Sequence, residues 1–314
     1  MNALERFLYF FCFPVFSLSF ILLPLTNDAR IYLGAAAQAD YFGGFPQGLD
    51  IAWEIKPVGN RLIAYLLYHI GQPFGDDAHY IIRAVVLMAI IAIAWYASKQ
   101  FKTKYTFLLI FFSLTTCANF CMFQAEYFSV LLSFLCIALI LSDNKWCNYA
   151  AGPVMLWVFL CKGITGVFVI PIIISVILLK KDWVPNIKRF VVSCMVSGML
   201  YFIACLTIFQ NSIPDMILSK SLARVGIYPI LRALDIATFM GGTIYLYIPV
   251  ILIGAVAGIL LLYSYYGAAK FWLILGLWCV PVAMIFLQGE FFVYHYLTLV
   301  IPSVISIVAY ERGL

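Results

Sequence analysis

The sequence predicts an all-α polytopic membrane protein, and three observations support this fold class. Apolar residues make up 65% of the 314 residues and charged residues only 11%, whereas a soluble domain carries about 25% charged residues. Apolar runs of about 20 residues recur along the whole chain, and each is long enough to cross roughly 30 Å of hydrocarbon. The runs are continuous rather than alternating, which favours helices over a membrane β-barrel.

About ten transmembrane helices are expected, one for each long apolar run. The predicted spans lie near residues 7–25, 79–98, 104–122, 125–141, 148–160, 163–180, 190–210, 242–264, 270–287 and 293–310. The first run is too long for a typical signal-peptide core and lacks an obvious cleavage site, so it is predicted to be a retained span. Residues 1–314 are expected to form a single transmembrane domain, because the sequence contains no low-complexity linker and no segment that looks like a second domain.

The basic residues predict the orientation. The tight clusters at 99–104 and 180–189 fall on one side of the membrane, and an excess of Lys and Arg marks cytoplasmic loops. The sequence therefore predicts a multi-pass protein of the plasma or inner membrane with both termini in the cytoplasm. Residues 26–78 and 211–241 then form a first and a second outer loop.

The first outer loop is predicted to hold two helices that lie in the membrane interface. Residues 57–71 are amphipathic and would cover only about 22 Å as a helix, less than the bilayer core. Such a helix lies along the interface rather than across it. A second helix is expected over 28–42, capped by Thr26 or Asn27.

Charges on the outer side are mixed in sign and often close to the end of a span. A charge among apolar residues costs about 2.5–3.5 kcal/mol on the insertion scale, so it usually has a partner or a water-filled cavity. Glu126 and Lys162 are the clearest examples. We expect these groups to converge on a polar cavity that opens outward.

Each outer polar residue allows a structural and a functional interpretation. Asp28 could cap a helix or act as a general base held at the membrane surface. Lys56 and Arg61, around Pro57 at a helix start, could bind an anion or contact membrane lipid phosphate non-specifically. Glu54 could pair with either cation or steer an acceptor.

The remaining candidates begin or end predicted spans. Glu126 could simply be a favourable acid at a helix N-terminus. Lys162, followed by Gly163, suits phosphate binding as a point charge. Glu290 and His295 belong either to an aromatic interface belt or to a site that contacts sugar or lipid phosphate.

Several function classes are not indicated. The sequence contains no P-loop, GxGxxG, HExxH, GxSxG or Cys/His zinc pattern, so no metal ligands are predicted. Nothing in it suggests a nucleic-acid partner or a nucleotide cofactor.

Taken together, these features resemble the GT-C glycosyltransferases, which use polyprenyl-phosphate sugars and include the protein O-mannosyltransferases and the lipid A aminoarabinose transferases. The family-like stretches occur in the family's order between residues 27 and 300. They are NDARIYLGAAAQADYF, WEIKPVGNRL, HYIIRAVVLM, FQAEYF, LCKGITGVFVIP and QGEFFVYHYL.

The resemblance implies a reaction and a set of roles. Asp28 would take the proton from a hydroxyl of a glycan, lipid or protein acceptor. The donor phosphate would be held by Lys56 and Lys162, with Arg224 as a further candidate. The sugar or acceptor site would be lined by Glu54, Glu126, Glu290 and His295. The resemblance leaves open a divalent cation as cofactor.

Two other classes of function stay open at this point. One is a transporter or flippase for a lipid-linked or anionic solute, although no internal repeat is visible. The other is a non-catalytic partner in envelope-glycan assembly. Many family members have two adjacent acids after the first span, where this chain has Asn27 and Asp28.

Overall fold

The computed structural model describes residues 3–25, 27–45, 58–103, 105–178, 183–208, 248–264, 277–283 and 297–311, and this part of the chain is all-α. The helices are α1 Ala3–Leu22, α2 Asn27–Tyr41, α3 Val58–Gly71, α4 Ala78–Phe101, α5 Thr106–Cys121, α6 Ala125–Leu141, α7 Lys145–Cys161, α8 Gly163–Leu178, α9 Trp183–Thr207, α10 Ile248–Ser264 and α11 Val300–Glu311. A π-helical turn, Leu8–Cys12, lies within α1. A 3-10 helix, Gln72–Asp77, joins α3 to α4.

The two helices predicted within residues 26–78 are observed as helices. The expected helix over 28–42 is observed as Asn27–Tyr41, and the one over 57–71 as Val58–Gly71. Gly75 forms a kink between α3 and α4, with φ +55° and ψ −122°. This left-handed conformation suits glycine because other residues rarely adopt it.

The expected number of about ten transmembrane helices is not met. Within the described ranges, three stretches are long and apolar enough to cross a membrane: Ala3–Leu22, Val58–Phe101 and Val184–Thr207. Other predicted spans appear as apolar helices of 10–17 residues. Turns at 122–124 and 142–144 and the single residue Lys162 divide the apolar sequence into these shorter helices.

The centre of the structure is the antiparallel pair α6 and α7. Helix α4 packs on α5 and α6, α9 packs on α7, and α10 packs on α11. Small residues bring helices close together. A Cβ at Gly152 would collide with Ser193, and one at Gly254 would lie 2.4 Å from the Ser303 Cα.

Arg83 ties the end of α1 to α4. Its side chain is fully buried. Nη1 donates to the Phe20 carbonyl at 2.8 Å and Nη2 to the Pro24 carbonyl at 2.6 Å. Because the last carbonyls of a helix have no partner within it, Arg83 satisfies groups at this helix end. The contact also fixes the segment that leads into α2.

A second polar network closes the turn between α6 and α7. The buried Asn148 amide donates to the carbonyls of Leu139 at 3.1 Å, Ile140 at 3.2 Å and Ser142 at 3.1 Å. Its oxygen accepts from Arg189 Nη1 at 3.3 Å. The carbonyl end of α6 is thereby satisfied by a side chain of α7.

Candidate functional site

The candidate site lies where α6 begins and α7 ends. Glu126 occupies the first turn of α6, and Lys162 lies between α7 and α8. The Lys162 Nζ donates to Glu126 Oε1 across a sequence separation of 36 residues. The Glu126 side chain is 1% exposed and the Lys162 side chain 24%. Two of the predicted outer charges therefore form a largely buried ion pair.

The backbone at Lys162 holds this side chain in place. Its amide donates to the Val158 carbonyl at 3.0 Å, and its carbonyl accepts from the Gly166 amide at 3.1 Å. Lys162 is extended, with φ −154° and ψ 101°. It thus ends one helix and begins the next. An added Cβ at Gly163 would meet no heavy atom within 4 Å, so space is left beside the ion pair.

The first turn of α3 docks directly on this corner. A Cβ at Gly59 would lie 2.7 Å from the Leu160 carbonyl carbon and 2.8 Å from the Cys161 nitrogen. The Asn60 Nδ2 donates to the Phe123 carbonyl at 3.0 Å. Arg61, the next residue, is fully buried. Because Gly59 has no side chain, the backbone of α3 can come this close to the backbone at the end of α7.

Phe123 links the turn before α6 to helices α2 and α3. Its φ of +75° is in the left-handed region, which is uncommon for a bulky residue. Its carbonyl accepts the Asn60 hydrogen bond, and its ring centroid lies 6.5 Å from that of Tyr32 in α2. One turn thus contacts both α2 and α3.

Three helices, α3, α6 and α8, begin at this corner. The free N–H groups and the positive dipole end of a helix favour an anion or carboxylate. At this corner Asn60 Oδ1 and Thr165 Oγ1 have no hydrogen-bond partner among the described residues. Both side chains are fully buried. Since buried polar groups are normally paired, these atoms are candidates to bind a polar ligand or water.

The sequence-predicted residues divide into two groups. The structure brings Arg61, Glu126 and Lys162 to the same corner. The backbone of Asp28 lies in the first turn of α2. The Asp28 side chain and the remaining candidates lie outside what the structure describes: Glu54, Lys56, Arg224, Glu290 and His295.

Sequence reasoning missed Asn60, Phe123 and Thr165. The structure buries Asn60 and Arg61 against the protein, while the apolar Leu66 and Ile70 are 57% and 42% exposed. Val58, Ala64 and Leu67 of the same helix are buried as well. The buried side of α3 therefore mixes polar and apolar residues, and no local pattern in the sequence marks Asn60 as part of a site.

Within the described ranges, no group of three or more His, Cys, Asp or Glu side chains could hold a metal ion. Comparisons with protein families, curated proteins and solved structures show no match.

Proposed function

We propose that this protein is a membrane glycosyltransferase that moves a sugar from a polyprenyl-phosphate donor to a hydroxyl acceptor on the outer face of the membrane. One observation carries the proposal. Glu126 and Lys162, each singled out as an outer charge beside a span, form a pair at a corner where three helices begin. Buried cations at helix N-termini suit a phosphate.

The orientation of α3 supports a site at the membrane surface. Its first turn is buried at Gly59, Asn60 and Arg61, while Leu66 and Ile70 are exposed. A helix with an exposed apolar side can rest in the lipid interface. Its buried first turn would then hold Arg61 inside the corner, where it could contact the phosphate of a donor that enters from the membrane surface. The orientation proposed is the one with both termini in the cytoplasm.

The proposed reaction needs one base and a stabilised leaving group. The acceptor hydroxyl oxygen attacks the anomeric carbon, and the bond between that carbon and the phosphate oxygen breaks with inversion. The proton goes to the Asp28 carboxylate, and the bonding electron pair leaves with the polyprenyl phosphate. Fixed cations and helix N–H groups stabilise this developing charge, so Lys56, Arg61 and Lys162 take the place of a general acid.

Glu126 gives Lys162 a partner before the donor arrives. A cation at an apolar site is costly unless it is paired, and the contact with the carboxylate orients the ammonium group. When the donor phosphate approaches Lys162, it competes with Glu126 for the same Nζ. Glu126 can then accept a hydrogen bond from a hydroxyl of the sugar.

The test is glycosyl transfer by purified protein with a radiolabelled polyprenyl-phosphate sugar. Asp28→Asn is expected to lower turnover by at least about 100-fold, the lower end of what a general base contributes. Asp77→Asn is the matched control, because Asp77 is an exposed carboxylate of the same loop. Full transfer by Asp28→Asn would overturn the mechanism. Uptake of a lipid-linked sugar into proteoliposomes without covalent product would favour a transporter instead.

A second test concerns the donor phosphate. Lys56→Ala is expected to raise the donor KM or lower kcat, because the cation acts on the leaving group. Unchanged kinetics would remove Lys56 from the donor site. Lys145→Ala serves as the control, since Lys145 is an exposed cation at the start of α7.

A further inference from the structure

A cavity of about 450 Å³ lies where α2, α3, the 3-10 helix and the start of α4 meet. Its lining includes apolar side chains, among them Leu33 of α2 and Ile82 of α4. It also includes the polar side chains of Tyr68, Gln72, Asp76 and His79. The lining of the cavity is therefore amphipathic.

The cavity is separate from the corner that holds the ion pair. Arg61 lies in the first turn of α3, whereas Tyr68 lies seven residues further along the same helix. Seven residues of helix correspond to about 10 Å along the axis. The residues that line the cavity include neither Glu126 nor Lys162. The two sites are at opposite ends of α3.

The charge of the cavity differs from that of the corner. Asp76 is the single carboxylate among the described lining residues, and neither Lys nor Arg lines the space. The Nδ1 of His79, another lining residue, lies 3.0 Å from the Asp76 carbonyl. A carboxylate with no cation beside it repels a phosphate and accepts hydrogen bonds from hydroxyl groups.

The polar groups of the lining have hydrogen-bonding capacity to spare. No hydrogen bond joins the side chains of Tyr68, Gln72 or Asp76 to another residue that the structure describes. An amide, a phenol and a carboxylate together offer donors and acceptors to a polyol. The apolar side chains that also line the cavity suit a hydrocarbon chain.

We propose that this cavity binds the uncharged, hydroxyl-rich head group of an amphiphile, with its apolar chain against Leu33 and Ile82. The proposal of a binding site depends only on the cavity and its lining residues. Its use as the acceptor site of the enzyme rests on the proposed function. Leu25 lines the cavity and lies three residues before Asp28, so α2 begins at the edge of the cavity.

Gly34 provides the sharpest test. It lines the cavity, and a Cβ added there would meet no heavy atom within 4 Å. Gly34→Leu therefore fills the space without a clash. Gly198→Leu is the matched control, because a Cβ at this glycine of α9 also meets nothing within 4 Å, away from the cavity.

The probe is an alkyl glucoside with a photoreactive diazirine in its chain, incubated with the whole protein in nanodiscs. Cross-linked peptides are identified by mass spectrometry. We expect labelling within 25–37 and 68–82, at least 10-fold weaker in Gly34→Leu and unchanged in Gly198→Leu. Asp76→Asn is expected to weaken labelling several-fold. Equal labelling of both leucine variants, or labelling confined to other segments, would overturn the proposal.

Two further arms separate this site from the donor site. Excess dodecyl phosphate is expected not to displace the glucoside probe, whereas excess unlabelled dodecyl maltoside is expected to displace it. Displacement by the phosphate alone would assign the cavity to an anionic amphiphile and overturn the proposal. The double variant Lys162→Met/Glu126→Gln, which leaves no unpaired buried charge at the corner, is expected to leave labelling unchanged. If the native protein is labelled but shows no glycosyl transfer, the proposed glycosyltransferase function is refuted. The proposed amphiphile-binding site would still stand.

Discussion

The two ends of the α6–α7 hairpin handle buried polar groups in opposite ways. At the turn between them, the Asn148 amide donates to three carbonyls and its oxygen accepts from Arg189. At the other end, Asn60 donates once to Phe123, and its oxygen has no hydrogen-bond partner in the described part of the chain. Both asparagines are almost completely buried.

The difference distinguishes a structural network from a candidate ligand site. A fully satisfied polar network stabilises one arrangement of the backbone, whereas a partly satisfied one costs free energy unless something else completes it. The Asn148 end is complete. At the corner around Glu126 and Lys162, Asn60 Oδ1 and Thr165 Oγ1 have no hydrogen-bond partner among the described residues, which fits a site that a ligand completes.

The largest expected effect comes from removing the cation of the corner. Lys162→Met takes the ammonium away from a carboxylate that is 1% exposed, and breaking a buried pair costs about 3–5 kcal/mol. Both the free energy of unfolding in micelles and glycosyl transfer should fall. Adding Glu126→Gln should recover stability but not transfer. A double variant with full transfer would show that the pair is only structural.

A smaller effect is expected at the complete end of the hairpin. Asn148→Ala removes the donors for carbonyls at the end of α6, and unsatisfied buried groups cost about 1–3 kcal/mol each. The melting temperature should fall, while the donor KM measured in the transfer assay stays the same. Asn60→Ala, at the other end, should raise the donor KM as well. If both variants change only the melting temperature, the contrast between the two ends is wrong.

The close approach of α3 can be tested at Gly59. In Gly59→Ala the new Cβ would lie 2.7 Å from the Leu160 carbonyl carbon, so α3 must move away. Overpacking of this kind costs about 1–3 kcal/mol. Chemical unfolding would measure it, and transfer should fall because Asn60 and Arg61 move with the helix. Gly198→Ala is the control and should be neutral or stabilising by up to about 1 kcal/mol.

The smallest effect is expected at the start of α7. The Asn144 side chain accepts from the Trp146 amide at 3.0 Å, which is a normal N-cap. Asn144→Ala should cost about 1 kcal/mol of unfolding free energy with unchanged transfer. Asn144→Ser should restore stability, since serine caps almost as well. A loss of transfer in either variant would contradict the structural interpretation of this end.

Much of the secondary structure follows from the sequence. Apolar runs placed the helices, and the amphipathic pattern after Pro57 predicted a helix that is observed as Val58–Gly71. Within the described ranges, the number of spans was overestimated because several predicted spans form apolar helices of 10–17 residues, shorter than the roughly 20 residues needed to cross the bilayer. Lys162 alone separates α7 from α8.

The candidate site was only partly predictable. Glu126 and Lys162 stood out because each is a charge in apolar sequence, but their pairing across 36 residues has no local signal. Arg83 donates hydrogen bonds to carbonyls at the end of α1, and Asn148 donates to carbonyls at the end of α6. Such contacts depend on which helix ends meet, so no spacing in the sequence identifies them.

By itself, the sequence determined that the chain is helical and apolar, and which residues carry charge beside a helix end. The periodicity of apolar residues and the cost of burying a charge depend on neighbouring residues in the chain. Both can therefore be assessed from the sequence of each segment. Only the tertiary structure decided that the polar turn of α3 faces inward and that Lys162 meets Glu126. It also decided that a cavity lies between α2 and α4. These features depend on how the helices pack. Gly59 allows α3 to contact the end of α7, and Lys162 lies where α7 ends and α8 begins.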